Sequence, residues 1–138
     1  MPSREEMVAR LYNEGWRKAA FDVVFELVDP GIVWTAIEGA PDAGTYHGHE
    51  GVRGYMQDWL DDFDLGGWRI EESIDAGDSL VCVQLARATG KGSGVAGDLR
   101  YASTYRFGED GRIVEVREFA TREEALAAVG RSSNPDTG

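Results

Sequence analysis

The run Leu99-Arg100-Tyr101-Ala102-Ser103-Thr104-Tyr105-Arg106-Phe107-Gly108-Glu109-Asp110-Gly111-Arg112-Ile113-Val114-Glu115-Val116-Arg117-Glu118-Phe119 reads as two strands joined by a tight turn. Glu109-Asp110-Gly111 supplies the turn chemistry, with a glycine free to adopt positive φ. Side chains two apart on a strand share a face, so Tyr101, Ser103 and Tyr105 line up together. A plain core face is aliphatic and a plain solvent face is charged. A row of hydroxyls on aromatic rings suits a small-molecule pocket instead, with apolar bulk and a few polar handles.

The hairpin runs into a helix. Thr121 with Glu124 matches a capping box, predicting a short helix over Glu123–Val129 closed by Gly130. Upstream, period-two alternation of Trp68, Ile70 and Ile74 predicts a strand, and Ala76-Gly77-Asp78 a turn. A second strand carries Val81, Val83 and Leu85 on one face and runs through Arg87. Gly90–Asp98 reads as a glycine-rich flap. Its Lys91 does not make a phosphate loop, because Gly92 stands where Ser or Thr is needed and no helix follows.

The first half is mostly helical. Ser3 and Glu6 form another capping box, and Met7, Val8, Leu11 and Tyr12 give the first helix an apolar stripe. Gly15 breaks it, and a second helix is expected over Arg17–Val28. Asp29-Pro30-Gly31 is a turn, Ile32–Ile37 a short strand and Glu38–Gly48 a loop. Val52, Tyr55, Met56, Trp59 and Phe63 mark an amphipathic third helix that ends near Gly66-Gly67. The expected order is α-α-β-α-β-β-β-β-α. Successive strands with short turns imply an antiparallel meander, and an α+β fold with helices packed on one face of a bent sheet.

The 138 residues suit one domain, over 1–130, with 131–138 a disordered tail. A net charge of −11 with scattered basic residues argues against nucleic acid or anionic membrane as partner. Met1–Glu6 lacks an apolar signal core and no apolar run spans a bilayer, so a cytoplasmic location is the expectation. The single cysteine, Cys82, lies in an apolar strand pattern and is expected to be buried and inert.

Three segments in this order look like the SnoaL-like, polyketide cyclase-like branch of the nuclear transport factor two-like superfamily. They are Tyr46-His47-Gly48-His49-Glu50-Gly51-Val52, the hairpin from Tyr105 to Glu115, and Arg117-Glu118-Phe119. The resemblance covers about Arg4 to Gly130. It implies a cone in which a curved sheet wraps a helix around a pocket, frequently as a homodimer. It also implies proton-transfer chemistries such as isomerisation, cyclisation and hydrolysis, without a cofactor. The ketosteroid isomerase branch places an Asp base where Thr35 stands and an Asp donor where Ser103 stands, so its mechanism does not carry over.

The remaining candidate base is Glu118. If the face of Val114 and Val116 looks inward, Glu118 enters the pocket among aromatics, where a carboxylate becomes a better base. The alternative is a solvated strand end or an arginine partner. Tyr101 and Tyr105 would orient a carbonyl or enolate, or simply pack. Arg87 would pair with Glu118 or an anionic group if inward, and otherwise emerges at the sheet edge. Thr35, Tyr55, Trp59, Ser103 and Val116 are expected to line the pocket. Tyr12 would reach it from the first helix, and His47 would sit at its rim. His47, His49, Glu50 and Asp42 invite a metal, but no third His or Cys completes a site, so none is expected. The other sheet face, with Ile113, Arg117 and Phe119, is expected to pair two subunits.

Overall fold

The computed structural model describes residues 3–39 and 43–130. Helix α1 spans Arg4–Arg10, and its Ser3 cap accepts from the Glu6 amide at 3.0 Å. The chain then winds through a π turn, Leu11–Gly15, and a 3-10 turn, Trp16–Lys18, before Ala19 turns left-handed at φ 55. Helix α2 therefore covers only Phe21–Leu27 rather than starting at Arg17. Gly15 permits close packing: a Cβ there would stand 2.8 Å from Val24 Cγ2.

Strand β1, Val28–Thr35, absorbs the expected Asp29-Pro30-Gly31 turn as an irregularity in the strand. Asp29 Oδ2 accepts from the Gly31 amide at 2.8 Å, so the turn forms locally without ending the strand. The predicted loop contains a further short strand, β2, Thr45–His47. Helix α3 is Gly48–Asp62 and buries Val52, Tyr55 and Met56. The helix stops short of the expected end near Gly66-Gly67, and Phe63, expected within it, is the first residue of β3, Phe63–Ala76. Gly66-Gly67 lies inside β3, where the register to the next strand shifts between Leu65 and Trp68.

The remaining elements are β4, Ser79–Gly90, β5, Ala96–Phe107, β6, Ile113–Phe119, and α4, Arg122–Ala128, capped by Thr121. Strands β4 and β5 pair out to Thr89 and Ala96, so the expected flap shrinks to the turn after Gly90. One six-stranded sheet results, in the order β2-β1-β6-β5-β4-β3. The β3–β6 meander is antiparallel as expected, while β1 runs parallel to β6 and makes the sheet mixed.

The fold is α+β, with α1–α3 against the inner face of the curved sheet. Leu11, Tyr12, Trp16, Trp34, Met56 and Tyr105 form the centre of this core. Helix α4 covers part of the outer face, where Ala125 and Leu126 bury Val81 and Ala102. That covering explains one misread face. Val81 is buried under α4, while the inward row of β4 is Leu80, Cys82, Gln84, Ala86 and Ala88. Both rows look apolar in sequence, and the polar member, Gln84, belongs to the inner one.

Candidate functional site

A cavity of about 570 Å³ opens between α3 and the strands β3, β4 and β5. That volume suits a small organic ligand. Trp16, Trp59 and Trp68 contribute three aromatic walls, with Tyr55, Phe63 and Tyr101. Trp16 and Trp68 stack with centroids 5.4 Å apart, and Trp59 and Phe63 meet at 5.1 Å. Ala86 and Ala88 keep the β4 wall low. Exposed Asp58, Asp62, Leu99 and Arg100 lie at the mouth.

Glu118 lines this cavity and is only 7% exposed. Among the described residues it is the one buried carboxyl group. Tyr55 of α3 donates to its Oε1 at 2.6 Å. The inward face of β6 holds Val116 and Glu118, and Glu118 stands opposite Ser103 of β5.

Behind the wall lies a buried polar network. Trp68 Nε1 donates to the Tyr101 hydroxyl at 2.8 Å, and Gln84 Nε2 donates to the same oxygen at 3.0 Å. The Tyr105 hydroxyl donates to Gln84 Oε1, and the Tyr12 hydroxyl meets that of Tyr105 at 2.6 Å. Burial, and then the charges of neighbouring groups, push all three tyrosines well above their ordinary range. They are neutral structural hydroxyls at physiological pH. Asn13 fixes the bend of β3 beside this network. Its side chain accepts from the Trp68 amide at 2.8 Å and donates to the Trp68 carbonyl at 3.0 Å.

Tyr55, Trp59, Tyr101 and Glu118 thus stand together at the cavity, while other sequence candidates stand elsewhere. Tyr12 and Tyr105 are buried behind the wall, facing each other rather than a ligand. Ser103 is fully buried between Cys82 and Glu118 on adjacent strands, and Val116 is core. Thr35 faces away from the core, its hydroxyl 3.4 Å from that of Thr45. Arg87 also points outward, its side chain 61% exposed and 3.3 Å from Asp98. The inward reading of Arg87 followed from the misread face of β4. His47 is exposed at the start of α3. His49 stacks on Phe25 at 4.3 Å, with Nε2 2.9 Å from the Val28 carbonyl oxygen. Asp42 lies outside the described residues. Among those described, no group of three His, Cys, Asp or Glu side chains is placed to hold a metal. Burial, and secondarily the charge of Glu5, pushes the Cys82 thiol up to about 12.

Most of the described wall residues, Trp16, Asp58 and Asp62 among them, were not site candidates in the sequence reading. Ala86 and Ala88 were hidden by the face assignment of β4, and Leu65 and Trp68 by the bend at Gly66-Gly67. Trp68 carried an aromatic signal but reads as core by spacing alone.

A family model described as a SnoaL-like domain matches residues 8–116. The chain belongs to that family. Among curated proteins no match is found. Solved structures share the fold. An NTF2-like protein of unknown function from Burkholderia pseudomallei is 22% identical, with a TM-score of 0.73 over 94% of this chain and 98% of the other. A protein of ketosteroid isomerase-like fold from Catenulispora acidiphila, in complex with trimethylamine, is 15% identical, with a TM-score of 0.70 over 94% and 95%. TerC co-crystallised with polyporic acid is 21% identical, with a TM-score of 0.67 over 83% and 88%. SnoaL-like membership carries the general expectation of a small-molecule site, and fold likeness alone assigns no chemistry.

Proposed function

We propose that this SnoaL-like domain binds an apolar or aromatic small molecule in the cavity and acts on it by proton transfer, with Glu118 as the base. The observation that carries the reading is a buried carboxylate among aromatic walls, held by the Tyr55 hydroxyl at 2.6 Å. Such a group can take a proton from a carbon acid or from a water attacking the substrate. Isomerisation, cyclisation and hydrolysis all use that step. The trimethylamine and polyporic acid held by two proteins of this fold are in keeping with a ligand cavity.

A thermal-shift panel of neutral, cationic and anionic aromatic and terpenoid compounds tests it. Ligands at about 100 times their Kd should add about 2.7 kcal/mol to stability. Incubation of the hits should give product with the native chain and none with Glu118→Gln. A panel without a single hit overturns the cavity reading, and full turnover by the variant removes the base.

A non-catalytic binder is the second reading. The Tyr101 oxygen already accepts from Trp68 and Gln84, which among the described residues leaves little machinery beyond Glu118 and Tyr55. Hits without product after long incubation select it. A homodimer through the outer sheet face also belongs to the proposal. Arg117 covers Phe119 there at 5.1 Å, whereas Ile113, expected on that face, is buried within the chain. Sedimentation showing only monomer at micromolar concentration counts against the dimer.

A further inference from the structure

We infer that the ligand of this cavity is an organic cation, an ammonium or iminium group on an apolar or aromatic body. This rests on the small-molecule reading above and names the ligand's class.

The charge on the lining is lopsided. Among the described residues, Asp58, Asp62 and Glu118 line the cavity, against Arg100 alone. Arg100 is already committed. Its Nε and Nη2 donate to the two carboxylate oxygens of Glu71 at 2.6 and 3.1 Å, and Glu71 is not part of the lining. Among the described residues the lining thus carries three carboxyl groups, in a chain of net charge −11. Low-dielectric aromatic walls concentrate their field.

Hydrogen-bond supply points the same way. An anion needs donors, and three of those on the described lining residues are already engaged within the protein. Trp16 Nε1 donates to the Met56 carbonyl at 3.2 Å, Trp68 Nε1 to Tyr101, and the Tyr55 hydroxyl to Glu118. What the walls offer is acceptors and ring faces. Ring faces carry negative charge density and attract cations, most strongly when water is displaced. The placement is graded. Asp58 and Asp62 stand exposed on α3 one helical turn apart, and Glu118 lies buried beyond the aromatic walls. A cation drawn in by the first pair reaches a carboxylate inside.

Three probes of similar size test the inference: benzyltrimethylammonium, its uncharged carbon isostere neopentylbenzene, and phenylacetate. Three of the four tryptophans line the cavity, so intrinsic fluorescence reports binding. The cation should bind about tenfold or more tighter than the isostere at low salt, with phenylacetate weakest. Glu118→Gln, which keeps an acceptor for Tyr55, should erase most of that preference. The double variant Asp58→Asn/Asp62→Asn should weaken the cation about threefold and flatten its salt dependence, and it reports even if the first variant fails to fold.

Equal or tighter binding of neopentylbenzene overturns the inference while leaving an apolar binding cavity intact. Binding of none of the three overturns it as well, and the compound panel above then decides the broader reading separately. A cation preference unchanged in both variants also overturns it, because the lining carboxylates would not be its source.

Discussion

Tyr55 and Glu118 are 63 residues apart in sequence, yet the Tyr55 hydroxyl sits 2.6 Å from Glu118 Oε1. The bond pins the middle of α3 to the last strand across the cavity. Hydrogen bonds to charged groups contribute about 1.5–3 kcal/mol, and an orphaned buried partner costs about 1–3 kcal/mol. Glu118→Ala should therefore lower the melting temperature by several degrees. Glu118→Gln should lower it less, since an amide oxygen still accepts from Tyr55. Tyr55→Phe should resemble the alanine variant, because it leaves the carboxylate short of a donor. Thermal melts by circular dichroism rank the three, and equal melting of the Ala and Gln variants would refute the bond's contribution.

Gln84 is the hinge of the buried network, donating to Tyr101 and accepting from Tyr105. Replacing it with Leu removes two buried bonds at once, while Tyr101 keeps the Trp68 donor and Tyr105 keeps Tyr12. The expected loss is about 1–3 kcal/mol, from two hydrogen bonds at about 0.5–1.5 kcal/mol each. Tyr12→Phe removes one bond only and should cost about 1 kcal/mol. Urea denaturation measures both, and the Gln84 variant should be the weaker.

Alkaline pH should expose the same network. Tyr12, Tyr101 and Tyr105 have folded-state pKa values well above the ordinary one, chiefly from burial. In the unfolded chain they ionise near about 10. A raised folded value means the native state holds more protons, so its stability is full below about pH 10 and falls as pH rises further. Absorbance at 295 nm should show these three tyrosines ionising only as near-ultraviolet circular dichroism collapses. Their ionisation with the native signal retained would contradict the burial argument.

Much of this was legible in sequence, for identifiable reasons. Ser3 and Thr121 start their helices because capping is local chemistry. The shared face of Tyr101, Ser103 and Tyr105 followed from strand alternation, although Ala102 and Thr104 on the other face are buried as well. The face of β4 did not, because α4 hides Val81 from water on the other side. Arg87 was misplaced with it. The use made of the hydroxyls was also beyond local pattern. Whether Tyr105 meets a ligand or Tyr12 depends on the turn after α1, with Tyr12 lying 93 residues away in sequence. The bend that brings Trp68 to the cavity depends on Asn13, 55 residues distant, which no spacing rule connects to it.

Gly15 separates local propensity from packing. It lies in the wound segment after α1, where Gly→Ala substitution ordinarily gains up to about 1 kcal/mol. Its φ of −98 is open to any residue, so the backbone does not demand glycine. The neighbour does. An added methyl would sit 2.8 Å from Val24 Cγ2 and 3.5 Å from the Val24 amide nitrogen. Val24 is fully buried in α2 and cannot swing into solvent. Overpacking of this kind costs about 1–3 kcal/mol, enough to reverse the propensity gain. Gly15→Ala should destabilise the domain, and Gly15→Ala/Val24→Ala should remove the clash at the price of a small cavity. In a double-mutant cycle the pair should then cost less than the sum of the two single changes. A stabilised single variant would show that α2 yields at this contact, and that Trp16, the next residue and a cavity wall, is held by something other than the Gly15–Val24 approach.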